Sequence, residues 1–327
     1  NICQRLTAEQ ATDPHLKALG FYATALEGFQ LAQEMEGMAV VQNNMGLAYL
    51  GLAQRDAQYF RAAVPLLEES LQFYERGDDW PRRADICLSL GDAYVGLEEP
   101  GSDHFELGRE YLERARALYE RCGDLPRQAQ AQGQLGDVQM ELALYDPGPS
   151  LEKAVRHYRN ALALYVDLDD ALGTARYQDC LSRAYGSLGE EEHLRKSLRA
   201  GQRARELYEE HGRESSLAGV CHGLGQVHLE LVRLGADEEL LPAFEQLRRA
   251  LGLYLDLGDR MGRAQCLLGL AEIYLGGEAQ QQDADRRQGL SCLEEALAIY
   301  RLEGHNAAAA DVERQLDPAR RADGSVG

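Results

Sequence analysis

Few residue combinations in this 327-residue sequence could do chemistry. Cys221 and His228 stand seven apart, which puts them on one face of a helix, where they could offer two ligands to a metal such as zinc. Gly223-Leu-Gly225-Gln-Val-His228 imitates part of the GxGxxG of dinucleotide sites, but no strand precedes it and it lies inside a helical pattern. Asp137 and His222 are an acid and a base of the kinds that transfer protons in enzymes. None has the companion residues its chemistry needs. The sequence contains no HExxH, no Walker loop, no GxSxG and no two-His-one-carboxylate spacing on a helix. The expectation is therefore a chain without catalytic residues, metal or cofactor.

The elements that position these residues repeat. An aromatic closes a helix at Phe29, Tyr74, Tyr119, Tyr165, Tyr208, Tyr254 and Tyr300, in steps of 45, 45, 46, 43, 46 and 46 residues. Each of the first six is followed 20 residues later by a second mark: Tyr49, Tyr94, Gln139, Tyr185, His228 and Tyr274. Ahead of most second marks lies an apolar residue and a glycine, as in Met45-Gly46, Leu90-Gly91, Leu135-Gly136 and Leu224-Gly225, with Ser182 and Ala271 standing in for glycine elsewhere. A period of this size predicts stacked supersecondary units. We call the helix that ends at a first mark B and the helix that carries a second mark A. The interval from A mark to the next B mark varies between 23 and 26 residues, so all length variation falls in the A-to-B loops. Those loops carry the breakers Pro100-Gly101, Asp146-Pro147-Gly148-Pro149, Gly235-Ala236-Asp237 and Gly276-Gly277.

The constant B-to-A turn has a mechanism. Gly123, Gly212, Gly258 and Gly304 are placed to take the left-handed conformation that ends a helix. Asp79, Asp124, Asp170 and Asp259 follow as N-caps, and Pro81 and Pro126 occupy the first turn, where a missing N–H costs nothing. Helices are predicted over 16–36, 37–53, 60–76, 80–97, 106–121, 125–144, 151–167, 171–188, 192–210, 214–234, 239–256, 260–276, 286–302 and 306–316. Residues 1–6 fall where the end of an A helix belongs, with Cys3 or Gln4 near the mark, and 8–14 read as a loop. Residues 317–327, polar with Pro and Gly, read as a flexible tail after a single array over 1–316.

Composition narrows the partners. A net charge of −20 opposes a nucleic-acid backbone or an anionic membrane, since both require a basic face. Only Lys17, Lys153 and Lys196 are lysines, a coding bias to which no function attaches. The seven cysteines form no CxxC, and Cys87 and Cys221 share one repeat position, so they read as small core residues of a reduced, cytoplasmic protein. That position also favours a structural role for Cys221 and His228 over a metal site. No apolar run is long enough to span a bilayer. Trp80, the only tryptophan, opens a helix at the turn edge and is expected to pack against its neighbours.

Leu90-Gly91-Asp92-Ala93-Tyr94, Met45-Gly46-Leu47-Ala48-Tyr49 and Ala161-Leu162-Ala163-Leu164-Tyr165 resemble the tetratricopeptide repeat (TPR) pattern over essentially the whole chain. The repeat length and GD turn are similar to the long-repeat type of Pins/LGN-like adaptors, kinesin light chains and bacterial TPR regulator and sensor arrays. The asparagine-rich signature of the Pins/LGN-like group is not kept beyond Asn43 and Asn44. The resemblance implies an all-α, right-handed superhelical TPR solenoid of about seven helix hairpins with a concave face lined by A helices. Positions nine, six and two before each A mark would face that groove. They are Val40, Asn43, Leu47; Asp85, Leu88, Asp92; Gln130, Gly133, Asp137; Arg176, Asp179, Arg183; Gly219, His222, Gln226; and Gln265, Leu268, Glu272. Acidic Asp85, Asp92 and Asp137 precede Arg176 and Arg183, which suits an extended peptide of basic then acidic character.

The expected function is a non-catalytic protein–protein interaction module that binds a protein or peptide segment in this groove. The alternative is a domain sensing a peptide or small molecule within a multidomain signalling protein. The first residue is Asn and both ends fall mid-repeat, so a larger parent chain or a homo-oligomer is expected.

Overall fold

The computed structural model describes residues 13–53, 55–97, 103–276 and 283–322. Within them the chain forms fourteen α-helices, and contacts divide it into two compact units. The first, Asn1–Asp169, contains α1 (Pro14–Ala32), α2 (Met35–Ala53), α3 (Gln58–Tyr74), α4 (Trp80–Val95), α5 (Asp103–Cys122), α6 (Leu125–Leu142) and α7 (Pro147–Asp167). The second, Asp170–Gly327, contains α8 (Ala171–Leu188), α9 (Glu191–Glu210), α10 (Glu214–Arg233), α11 (Leu240–Leu257), α12 (Arg260–Leu275), α13 (Asp283–Leu302) and α14 (Asn306–Ala322). Odd-numbered helices are B helices and even-numbered ones are A helices. The repeat register thus places every helix.

Three boundaries differ by four residues or more. α1 ends at Ala32, short of the expected Glu36, because Gln33 takes the left-handed conformation that stops the helix. α7 opens at Pro147, inside the Asp146–Pro149 run expected as a loop, because prolines in a first helical turn give up no hydrogen bond. α14 continues to Ala322, past the expected end at Leu316. The expected A-helix end at 1–6, the loop at 8–12, Pro100-Gly101, Gly277 and the last residues of the tail lie outside the described residues.

The turn chemistry is as the residues require. Gly123, Gly212, Gly258 and Gly304 have φ of 69°, 62°, 71° and 76°. The amide of the residue after each of these glycines donates to the carbonyl of the preceding aromatic: Asp124 N–H to Tyr119 O at 3.0 Å, and Asp259 N–H to Tyr254 O at 2.9 Å. Asp79, Asp124, Asp170 and Asp259 then accept the amides of Arg82, Arg127, Gly173 and Gly262 at 2.9–3.1 Å, capping the next helix. Gln33 and Asp169 take the left-handed position where other repeats have glycine.

Each A helix packs most extensively on the B helix that follows it, and the signature glycine sets the distance of approach. A Cβ on Gly46 or Gly91 would lie 2.6 Å from Leu67 or Leu112, and on Gly225 it would lie 2.7 Å from Leu247. Gly136 receives the ring of Tyr158 in the same way. Where Ser182 replaces the glycine, its hydroxyl donates to Ser197 O at 2.9 Å and Ser197 Oγ donates to Ser182 O at 2.7 Å, tying α8 to α9. The B-helix knobs are sealed: Leu67, Leu112, Tyr158 and Leu247 are at most 2% exposed. Cys87 and Cys221 are fully buried core residues, and burial pushes both thiols up to about 11. Trp80 is half-buried against the first unit's core, with the guanidinium groups of Arg83 and Arg121 4.4 and 3.8 Å from its ring.

Two glycines on one turn of α10 separate close approach from helix propensity. Gly225 is seated against Leu247, whereas a Cβ on Gly223 would meet nothing within 4 Å. Gly225→Ala is expected to destabilise by about 1–3 kcal/mol through overpacking. Gly223→Ala is expected to stabilise by roughly 0.5–1 kcal/mol through helix propensity. Urea denaturation of the two variants checks both signs.

Candidate site on the open face of the A helices

The positions nine, six and two before each A mark lie on the accessible side of their helices while the flanking residues are buried. In α4, Asp85, Leu88 and Asp92 are open or half-open between buried Ala84, Ile86, Cys87, Leu90, Gly91 and Ala93. In α2, Val40, Asn43 and Asn44 are half-buried and Leu47 is exposed. In α6, Gln130 and Asp137 are exposed, but Gly133 is buried. The same alternation holds in α8, α10 and α12. Helical period places these side chains because the other faces of the A helices are taken up by B helices packed against them within each unit.

Within the first unit this face is acidic, and its carboxylates are held from neighbouring helices. Asp85 accepts the Tyr119 hydroxyl at 2.8 Å and an Arg127 N–H at 2.5 Å. Asp137 accepts the Tyr158 hydroxyl at 2.7 Å. Asp92 accepts Gln134 Nε2 at 2.6 Å. Asp92 is exposed at its tip, yet crowding by the surrounding helices desolvates it, and with Asp137 nearby its carboxyl rises to about 6 despite the Gln134 bond. Arg127 joins this face through Asp85, although the nine-six-two register leaves it out. Its signal is its place twelve before the A mark, which it shares with Arg82, itself 2.8 Å from the Tyr74 hydroxyl.

In the second unit, Arg183 and Asp179 pair at 3.8 Å on α8, and Arg183 also reaches Cys180 Sγ at 3.3 Å. Burial raises the Asp179 carboxyl and Arg183 opposes the shift. The Arg176 guanidinium lies 5.6 Å from the Tyr177 ring. Further along, His222 and Gln226 of α10 meet Gln265, Leu268 and Glu272 of α12 around a cavity of about 580 Å³. Leu293 of α13 and Gln315 of α14 close its wall. Gln226 Nε2 stands 3.5 Å from His222 Nε2, and burial lowers the His222 pKa, so its ring is neutral at pH 7. Glu272 is held by Arg233, whose Nη2 lies 2.6 Å from both carboxylate oxygens, so the cavity carries little net charge. Cys221 and His228 do not face it. His228 is buried, with Nδ1 2.7 Å from Glu239.

The raised Asp92 carboxyl carries a stability signature. Its folded pKa lies above the model-peptide value of 3.8, so its contribution is fully present below that value and is lost as pH rises through about 6. Asp92→Asn keeps an acceptor for Gln134 and removes the charge. Its melting temperature is expected to exceed wild type at pH 7.5, with the gap closing as pH falls from 6 towards 4. Thermal melts across this range check it.

No protein-family model and no curated protein matches the sequence. Solved structures share the fold. The apo form of RapI superposes with a TM-score of 0.61 at 13% identity, covering 86% of this chain and 97% of that one. A Rap protein complexed with Competence and Sporulation Factor gives 0.53 at 14% identity, covering 98% and 88%. The Signal Transduction ATPase with Numerous Domains protein with a tetratricopeptide repeat sensor from Pyrococcus horikoshii gives 0.59 at 14% identity, covering 94% of this chain and 47% of that one. With its long repeats, glycine-set helix pairs and left-handed GD turns, the chain is an all-α helical-repeat solenoid of the tetratricopeptide type.

Proposed function

We propose that the protein is a non-catalytic interaction module that holds an extended, basic protein or peptide segment on the open face of its first-unit A helices. The observation that carries this reading is Asp92, exposed on the accessible face yet desolvated, with the Asp137 carboxylate near enough to raise its pKa further. An arginine or lysine set between these carboxylates relieves their repulsion and restores the charged state of Asp92. Asp85 contributes less, because Arg127 and Tyr119 already satisfy it. Asn43, Asn44 and Leu47 of α2 and Gln130 of α6 extend the same face with polar and apolar contacts. A chain of the same fold held Competence and Sporulation Factor, which supports ligand capture by such an array.

The test is a fluorescence-anisotropy titration with a labelled peptide of alternating arginine and serine, and a glutamate–serine peptide as control. The arginine peptide is expected to bind, and an Asp92→Asn/Asp137→Asn double variant to weaken it by roughly tenfold, the worth of about 1.4 kcal/mol. Binding is expected to weaken as pH falls through about 6, where Asp92 takes up its proton. Equal affinity in the variant and wild type would remove this face from the binding site.

The cavity among α10, α12 and α14 supports a second reading as a ligand sensor. Its volume of about 580 Å³ and its mixture of glutamine amides, a neutral imidazole and leucine side chains fall in the range of small-molecule sites. Under this reading His222, Gln226 and Glu272 orient the ligand, and Asp179, Arg176 and Arg183 lie apart from it. A compound that raises the melting temperature of the wild type but not of Gln265→Trp, which enlarges an exposed side chain of the cavity wall, is the expected result. Equal stabilisation of both proteins would place the ligand elsewhere.

A further inference from the structure

Within each unit an ion pair bridges two successive B helices, and it recurs in register. Arg114 of α5 pairs with Glu75 of α3, and Arg249 of α11 pairs with Glu209 of α9. In both cases the arginine stands five before its mark and the glutamate one after the previous mark. In the first unit the groove at this bridge holds a cavity of about 420 Å³, whose walls include Pro65, Glu68, Glu69, Leu71 and Tyr111. That groove is acidic. The same register positions between α9 and α11 are Arg199, Gln202, Arg203, Arg205 and Gln246, so there the sign reverses. The structure describes α9, α10 and α11 without a break from Glu191 to Leu257.

Arg205 is the exception within its register. Three before the mark, five of the other six B helices have leucine: Leu26, Leu71, Leu162, Leu251 and Leu297. The sixth has Arg116, which pairs with Glu120, four residues on, at 3.0 Å. Arg205 has Glu209 at that spacing, but Arg249 holds this carboxylate and Arg203 holds Glu206. Arg205 is half-buried, and neither its Nε nor Gln246 Oε1 has a hydrogen-bond partner among the described residues. Its charge reaches α11: burial lowers the Arg249 pKa, and Arg205 lowers it further. A guanidinium drawn out of water beside a second cation lacks the compensation that a buried charge requires.

We propose that the groove between α9 and α11 binds a phosphate monoester through Arg205, with Arg249 and Gln246 on its α11 side. Charge selects the dianion. Arg199, Arg203, Arg205 and Arg249 set against Glu206 and Glu209 leave two positive charges. A phosphate monoester near pH 7 offsets both, and a single carboxylate does not. Guanidinium forks match phosphate oxygens in pairs, and the Gln246 amide supplies a neutral N–H donor. This site is separate from the acidic A-helix face and from the cavity among α10, α12 and α14, and it depends on neither reading.

Isothermal titration calorimetry of the full chain at constant ionic strength tests the proposal. The probes are inorganic phosphate, a short Gly/Ser peptide with one phosphoserine, and the same peptide unphosphorylated. The phosphopeptide is expected to bind saturably and the unphosphorylated form not to bind. Arg205→Leu installs the residue that five other B helices carry, so it is expected to keep its helices by circular dichroism. Its phosphopeptide affinity is expected to fall by roughly tenfold or more. Glu209→Gln releases Arg249 and is expected to tighten binding. Equal affinity for inorganic phosphate and phosphopeptide would assign the site to free phosphate esters, and preference for the phosphopeptide to a phosphorylated partner segment. No saturable binding of either to wild type, equal binding by Arg205→Leu, or equal binding of the unphosphorylated peptide would overturn the proposal.

Discussion

The structure depends on how closely an A helix can approach the B helix that follows it. At Gly46, Gly91, Gly136 and Gly225 the absence of a side chain admits a leucine or tyrosine from the partner helix. That contact repeats along each unit and removes the knobs from water. A buried leucine contributes roughly 1.5–3 kcal/mol relative to an exposed one, so the repeated knobs are a principal favourable term in each hairpin. Where glycine is lost, at Ser182, the two serine hydroxyls recover part of the cohesion by bonding the opposite backbone. Among the described residues the buried apolar side chains fall into several clusters, because each contact serves only neighbouring helices.

The turns keep those contacts in register. A left-handed residue four after every B mark except Tyr74 reverses the chain, and an aspartate caps the next helix at four turns. These are local interactions, so each repeat specifies its own entry angle. The A-to-B loops carry no such constraint. Their lengths vary without disturbing the knob positions, because the helices they join are aligned by packing rather than by the loop.

Packing of the A helices against B helices within each unit leaves one side to solvent, and that residual face is where charge collects. Crowded helices withdraw water from it without closing it, which accounts for the raised carboxyls of Asp92 and Asp179. Desolvated but reachable charge is a poor stabiliser of the fold and a good receptor for an opposite charge. In the second unit Arg233 neutralises Glu272, and the face becomes a cavity of amides, imidazole and leucine instead of an anionic strip.

The helix count, the turn, the direction of Asp92, Asp137, His222 and Gln226 and the burial of Cys87 and Cys221 were legible in the sequence. They follow from interactions within a few residues, where helical period and capping chemistry act. The α7 start was misread because Pro147 and Pro149 signal a break and a helix opening alike. Only the tertiary structure decided that Arg127 and Tyr119, 42 and 34 residues from Asp85, would satisfy its carboxylate. It alone brought His222 and Glu272 to one cavity. The residue type at such a position is a matter of sequence. Whether another helix comes close enough to cover it depends on side-chain volumes meeting across the chain, which no local rule contains.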